Sequence, residues 1–175
     1  YPTAETGIVD RFTVAFTSLS ITSPSGTDTL TPAGYAQPVV LDSGTTLTYM
    51  PDKLAQAIFN EVGAVYDSQA GLTLCSCGIA TVAGSLSFGF AGANGPVIKV
   101  PIGEMVYPLL DTNNTQIKYP SGEPACLFGI VPASNNGNAP LLFGDTLLRS
   151  AYVVYDMVNF RVGLAQTNFN STGSN

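Results

Sequence analysis

The sequence predicts an all-β domain with one main short helix. Eighteen glycines and twelve prolines punctuate short apolar runs, the rhythm of strands joined by turns. Several runs alternate apolar and polar residues, and only one segment repeats convincingly at helical spacing. The 175 residues are enough for one domain with a real core, and 45% of them are hydrophobic.

Along the chain, Phe12, Val14 and Phe16 alternate with Thr13, Ala15 and Thr17 in a strand over Arg11 to Ile21. Leu19 and Ile21 take the opposite parity, which predicts a bulge or bend. Thr22 to Gln37 is polar and rich in Gly, Pro and Thr, a loop or loose hairpin, and Pro38 to Leu41 is a short buried strand. Pro51 suits a first helical turn, Asp52 places a carboxylate near the positive helix end, and Leu54, Ile58 and Val62 form a core-facing stripe before a stop at Gly63. Leu86, Phe88 and Phe90 alternate in another strand. Further strands are read at Val97 to Val100, Ala125 to Ile130, Pro140 to Phe143, Tyr152 to Asp156 and Arg161 to Gln166, with one helical turn at Asp145 to Arg149. Residues 134–138 are a polar turn, the stretch after Gln166 reads as a tail that frays or leads into a linker, and residues 1–10 and 168–175 read as peripheral.

Composition narrows the chemistry. Charged residues are 10% of the chain and the net charge is −6, so a nucleic-acid partner, which needs clustered cations, is not expected. There is no His. Ser-His and Cys-His catalysis by this chain alone and His-ligated zinc are thereby removed, and acid–base work falls to Asp and Glu. Cys75, Cys77 and Cys126 lack the four ligands of a zinc knuckle, and one disulfide plus one spare thiol is the simpler arithmetic. Two sequons, at Asn113 and Asn170, are glycosylation candidates and point with the cysteines to a secreted protein. No run approaches the length of a membrane-spanning helix, and the chain begins at Tyr1 like a processed fragment.

One segment concentrates the chemistry. In Val39-Val40-Leu41-Asp42-Ser43-Gly44-Thr45-Thr46 a carboxylate follows three apolar residues and is followed at once by hydroxyls and a glycine. A buried carboxylate is costly unless hydrogen bonds hold it. Gly44 lets its N–H approach Asp42, and Ser43, Thr45 and Thr46 offer hydroxyl donors, a nest that keeps an Asp ionised and oriented. A bare D-S-G is more often an Asx-turn at a strand end; the extension D-S-G-T-T after an apolar run favours the held carboxylate.

The segment from Leu41 to Pro51 resembles the active-site loop in the C-terminal lobe of pepsin-like aspartic proteases. A second match, Leu141-Leu142-Phe143-Gly144-Asp145-Thr146-Leu147-Leu148-Arg149 followed by Ser150 to Asp156, resembles the same lobe's Gly-Asp and Leu-Arg signature and its Tyr-rich strand. Val162-Gly163-Leu164-Ala165 resembles the closing strand, and Arg11 to Ile21 the opening strand pair. The flavour is that of fungal secreted and cell-surface enzymes, the yapsins and candidapepsins. The resemblance covers nearly the whole chain and implies one lobe of the bilobal pepsin-like acid protease fold, residues 1–175 forming a single C-terminal catalytic lobe. It implies that Asp42 is one of two catalytic carboxylates and that Ser43, Gly44 and Thr45 support the loop. By the same resemblance Thr46 is a candidate substrate contact, and Leu142, Phe143 and Gly144 pack past the Asp loop, where backbone passes close to backbone. It implies no metal and no cofactor.

The resemblance further implies one disulfide with Cys126 as its second partner; Cys75 is taken as the first and Cys77 as its alternative, stabilising by about 4 kcal/mol. The sequence holds no second D-T-G or D-S-G, so the N-terminal lobe is expected as a separate partner chain carrying the other Asp. Peptide or protein substrates and pepstatin-type inhibitors are the other expected partners. Three readings compete: an inactive pepsin-like inhibitor or binding protein, a retroviral-type homodimer, whose chains are much shorter, and an unrelated extracellular β-sandwich, which leaves both motifs as coincidence.

Overall fold

A computed structural model describes residues 12–137 and 139–168. The first strand, β1 (Thr13–Ser23), turns into β2 (Gly26–Thr29), a hairpin inside the stretch expected as a loop or loose hairpin. The chain returns as β3 (Gln37–Leu41), antiparallel to β1. Phe16, Leu19 and Ile21 are all buried. They fit one face because the register against β7 (Ser85–Phe90) shifts between Phe16 and Ser18, the irregularity that the broken alternation predicts.

After the Asp42 loop come β4 (Thr48–Met50) and α1 (Asp52–Val62). Pro51 is the residue before the helix rather than in its first turn, and its carbonyl accepts the N–H groups of Leu54 and Ala55. Gly63 closes the helix with φ 68°, a left-handed conformation that glycine adopts without steric cost. Leu54 and Ile58 are buried as expected, Val62 packs on the core's edge, and the stripe also takes in Ala55 and Phe59.

A second, four-stranded sheet contains β5 (Val65–Asp67), β6 (Leu72–Ser76), β9 (Val106–Pro108) and β10 (Ala125–Phe128), in the order β5-β6-β10-β9. Short 3-10 turns occupy Cys77–Thr81, Ile102–Met105 and Ala133–Asn136. The first sheet is completed by β8 (Val97–Pro101), β11 (Ile130–Pro132) and β12 (Leu141–Phe143). The predicted strand over Ala125 to Ile130 is therefore two strands, broken at Gly129. The short α2 (Asp145–Leu148) leads into a two-stranded hairpin, β13 (Ala151–Asp156) with β14 (Arg161–Gln166). The Gln166 side chain ties this hairpin to β8: its carbonyl oxygen accepts the Lys99 N–H at 2.7 Å and its amide donates to the Lys99 carbonyl at 2.9 Å.

Strand β12 threads between β3 and β4. It runs parallel to β3, pairing Leu141, Leu142 and Phe143 with Val39, Val40 and Leu41, and antiparallel to β4 through Phe143 and Thr48. Phe143 is fully buried, with Phe16 at 5.1 Å, Phe88 at 5.8 Å and Phe90 at 6.3 Å between ring centroids. Such tilted and edge-on pairs contribute about 0.5–1.5 kcal/mol each beyond the area they bury, so this cluster pins the strand that underlies Asp42.

The disulfide differs from the pairing taken as first choice. Cys77 is bonded to Cys126, and Cys75 is free and buried. Cys75 stands directly across the ladder from Cys126. Because the Cys77 N–H donates to the Pro124 carbonyl, the alternation of an antiparallel ladder makes Cys75–Cys126 a hydrogen-bonded pair, the one whose side chains stand further apart. Cys77 begins the 3-10 turn, and its Cα comes within 5.0 Å of that of Cys126. Burial pushes the Cys75 thiol up to about 11.

The sequon at Asn113 lies on an exposed turn, where Asp111 Oδ1 accepts the N–H groups of Asn113 and Thr115 at 2.8 Å each. The sequon at Asn170, Arg11, Asn138 in the polar turn and most of the tail fall outside the described residues.

Candidate active site

Asp42 sits at the carboxyl end of β3, where a chain leaving a sheet exposes its next side chain. Its N–H donates to the Phe143 carbonyl at 3.1 Å, which continues the β3–β12 pairing by one residue and fixes where the side chain starts. Gly44 N–H donates to Asp42 Oδ1 at 3.0 Å and the Thr45 hydroxyl to Oδ2 at 2.6 Å. Each carboxylate oxygen thus has its own donor. The two bonds, Thr45 first and Gly44 second, hold the Asp42 carboxyl below its ordinary range against the smaller opposing effect of burial. A side chain at Gly44 would crowd Oδ1, its Cβ falling 3.2 Å away.

The loop is clamped from below by the second motif. A Cβ on Gly144 would collide with the carbonyl oxygens of Thr45 and Leu47, so only glycine lets β12 pass there. Beyond it, Asp145 N–H donates to the Thr45 carbonyl at 2.8 Å and Thr146 N–H to the Thr46 carbonyl at 3.1 Å. Leu142 is half-buried beside Val40 and Phe143 fully buried. Ser43, Gly44 and Thr46 are exposed around the half-buried Asp42, and the Ser43 hydroxyl has no partner among the described residues. The structure therefore gathers Asp42, Ser43, Gly44, Thr45, Thr46, Phe143 and Gly144 at one place.

Sequence reading missed two supports. The Tyr155 hydroxyl donates to the Leu41 carbonyl at 3.3 Å, and its ring packs on Phe12 with centroids 4.5 Å apart. Burial first, and the Asp42 charge second, push the Tyr155 phenol upward. The other is a buried hydroxyl relay: Thr48 Oγ1 lies 2.8 Å from Thr146 Oγ1, which donates to the Gly129 carbonyl at 2.9 Å. Thr48 N–H reaches the same carbonyl at 2.9 Å. Both threonines were visible inside the motifs, but nothing in a sequence pairs side chains 98 residues apart. Arg149 of the Leu-Arg motif is held away from the carboxylate, by an ion pair to Glu104 at 2.8 Å and over the Tyr107 ring at 4.9 Å. Among the described residues no group of three His, Cys, Asp or Glu gathers as a metal site would require.

This geometry coincides with a known family. Residues 9–167 match the family described as eukaryotic aspartyl protease. The chain belongs to that family. As a member of the aspartyl proteases it is 38% identical over 175 residues to "Probable aspartic-type endopeptidase opsB" of Aspergillus oryzae, covering 97% of this chain and 33% of that protein. It is 33% identical over 165 residues to "Aspartic proteinase 3" of Saccharomyces cerevisiae, covering 94% of this chain and 26% of that one. The crystal structure of an aspartic proteinase from Irpex lacteus matches with a TM-score of 0.63 and 24% identity, over 94% of this chain and 45% of that one. That likeness establishes the pepsin-like β fold. This aspartyl protease chain spans about a third of the length of the first relatives it matches.

Proposed function

We propose that this chain is the C-terminal catalytic lobe of a secreted or cell-surface aspartic endopeptidase, and that a separate N-terminal lobe supplies the second carboxylate. The observation that carries the reading is Asp42, ionised and oriented by Thr45 and Gly44 at the end of a threaded strand pair. In the assembled site the two carboxylates share one proton, since like charges in contact cannot both ionise. The ionised member removes a proton from a water molecule, whose oxygen attacks the peptide carbonyl carbon. The protonated member donates its proton to the carbonyl oxygen; the first member then passes its newly gained proton to the amide nitrogen while the second takes one from a hydroxyl of the tetrahedral intermediate, so the C–N bond breaks to an amine and a carboxylic acid and the pair again shares one proton. Ser43 binds the opposite active-site loop and Thr46 contacts the substrate backbone; Asn113 and Asn170 carry glycans.

The test joins this chain to its N-terminal lobe and assays peptide hydrolysis at acid pH. Turnover should be blocked by pepstatin-type inhibitors and should fall at least roughly 10³-fold in Asp42→Asn, as loss of a group acting directly on the reacting atoms does. Turnover unchanged by that substitution removes Asp42 from the mechanism. An assembled protein that binds peptides without cleaving them marks the fold's binding-protein variant instead.

A further inference from the structure

The peptide unit that joins Leu41 to Asp42 is held at both of its polar ends. Its carbonyl oxygen accepts the Tyr155 hydroxyl at 3.3 Å, and its N–H donates to the Phe143 carbonyl at 3.1 Å. The atoms from one Cα to the next lie in one plane. The C=O and N–H of a trans peptide point in opposite directions, so the two bonds grip opposite edges of that plane. Its soft motion is a rotation about the Cα–Cα axis, which changes ψ of Leu41 and φ of Asp42 together. That rotation is opposed from both sides, and it is the one that would swing the Asp42 side chain away from its direction.

Tyr155 is itself braced. It stands on β13 opposite Val162 of β14, and its ring packs on Phe12 with centroids 4.5 Å apart. The Phe12 carbonyl in turn accepts the Leu41 N–H at 3.4 Å. Phe12 thus touches both the tyrosine ring and the residue that the tyrosine hydroxyl bonds. A phenylalanine would pack on Phe12 equally well; only the hydroxyl reaches the Leu41 carbonyl. Burial and the Asp42 charge raise the phenol above its ordinary value, so it stays a donor through the acid and neutral range. All of these contacts lie within this chain.

The arrangement divides the work on Asp42. The Gly44 N–H and the Thr45 hydroxyl act on the carboxylate oxygens, at 3.0 and 2.6 Å. Phe143 and Tyr155 act on the backbone at the root of the side chain, from β12 and β13.

We propose that Tyr155 is a positioning residue for peptide hydrolysis, its hydroxyl fixing, through the Leu41 carbonyl, the peptide plane from which Asp42 projects. The inference rests on the reading of Asp42 as catalytic. A displaced carboxylate costs rate rather than ground-state affinity, because proton transfer depends on one geometry while substrate binding is spread over many contacts.

The test uses this chain joined to its N-terminal lobe, at a temperature where melting curves show every variant folded. Tyr155→Phe should lower kcat roughly tenfold and leave KM within about twofold. It should weaken binding of a pepstatin-type transition-state mimic by the same factor as kcat/KM. Tyr35→Phe makes the same chemical change at a buried hydroxyl with no partner among the described residues, and should keep the parent's kcat. Ile58→Val, in the core of α1, lowers stability away from this peptide and should also keep it. The proposal is overturned by a parent-like kcat in Tyr155→Phe, by a fall that Tyr35→Phe or Ile58→Val reproduces, or by a loss carried by KM alone. Asp42→Asn, measured alongside, separates the two failures. If it abolishes turnover while Tyr155→Phe leaves turnover unchanged, only the role of Tyr155 is lost; if it leaves turnover unchanged, the reading of Asp42 falls and the role of Tyr155 with it.

Discussion

Replacing Thr146 by Val should destabilise this fold more than replacing Thr48 by Val, although both side chains are fully buried and lie 2.8 Å apart. The reason is the direction of the hydrogen bonds. The Gly129 carbonyl can only accept, so the Thr146 proton points to it. The Thr48 proton must then point to Thr146 Oγ1. Thr146→Val keeps the shape but removes two bonds and leaves the Thr48 O–H buried with no acceptor. At about 1 kcal/mol per bond for two bonds and 1–3 kcal/mol for an orphaned donor, the cost is about 3–5 kcal/mol. Thr48→Val removes one bond, and Thr146 still donates to Gly129, for about 1 kcal/mol. The Gly129 carbonyl keeps the Thr48 N–H in both variants. For a chain of this size a loss of about 3 kcal/mol lowers the melting temperature by roughly 6–12 °C. Urea and thermal unfolding of the two single variants and the double variant measure this directly. The double variant should cost no more than Thr146→Val alone, because the orphaned donor is gone. A Thr48→Val loss equal to or larger than that of Thr146→Val refutes the assigned proton positions.

Thr45→Val removes the larger of the two effects that hold Asp42 low, so the Asp42 carboxyl should titrate at higher pH, read by carbon NMR; a fall or no movement refutes the reasoning. A depressed carboxylate stabilises the fold above its unfolded pKa and loses that contribution as pH falls through the folded one. Thr45→Val should therefore lose less stability than the parent across that acid window. Cys77→Ser opens a loop of 49 residues and should cost about 4 kcal/mol in the chain-entropy account. Cys75, with its thiol raised to about 11 by burial, should resist alkylation at neutral pH until the chain unfolds, and then yield one thiol without reductant. A peptide map joining Cys75 to Cys126 overturns the pairing.

What the sequence made legible was local. The alternation slip at Leu19, the helix between Pro51 and Gly63, and the D-S-G-T-T nest depend on neighbours within a few residues, and each appears in the fold, the nest through Gly44 and Thr45 rather than the Ser43 and Thr46 hydroxyls. Four short strands, β4, β5, β6 and β9, escaped notice because segments of three to five residues carry too few alternations to rise above irregular chain. The choice between Cys75 and Cys77 escaped for a different reason. Parity puts both on the same side of a continued strand, and only the ladder's hydrogen-bond phase, set by Pro124, distinguishes them. The Tyr155–Leu41 and Thr48–Thr146–Gly129 links depend on topology, which no pattern within one segment encodes.

These long-range links explain why the family's two motifs belong together. Asp42 is oriented by donors from its own loop, Gly44 and Thr45, but its position is set by Phe143, whose carbonyl takes the Asp42 N–H while its ring is locked among Phe16, Phe88 and Phe90. The carbonyl of Thr45, the residue that bonds the carboxylate, is in turn fixed by the Asp145 N–H. Moving either motif by one residue would turn Phe143 out of the core, because strand side chains alternate between faces. The apolar cluster and the carboxylate are therefore adjusted as one unit. A substitution that loosens Phe143 should disturb the ionisation of Asp42 without touching it.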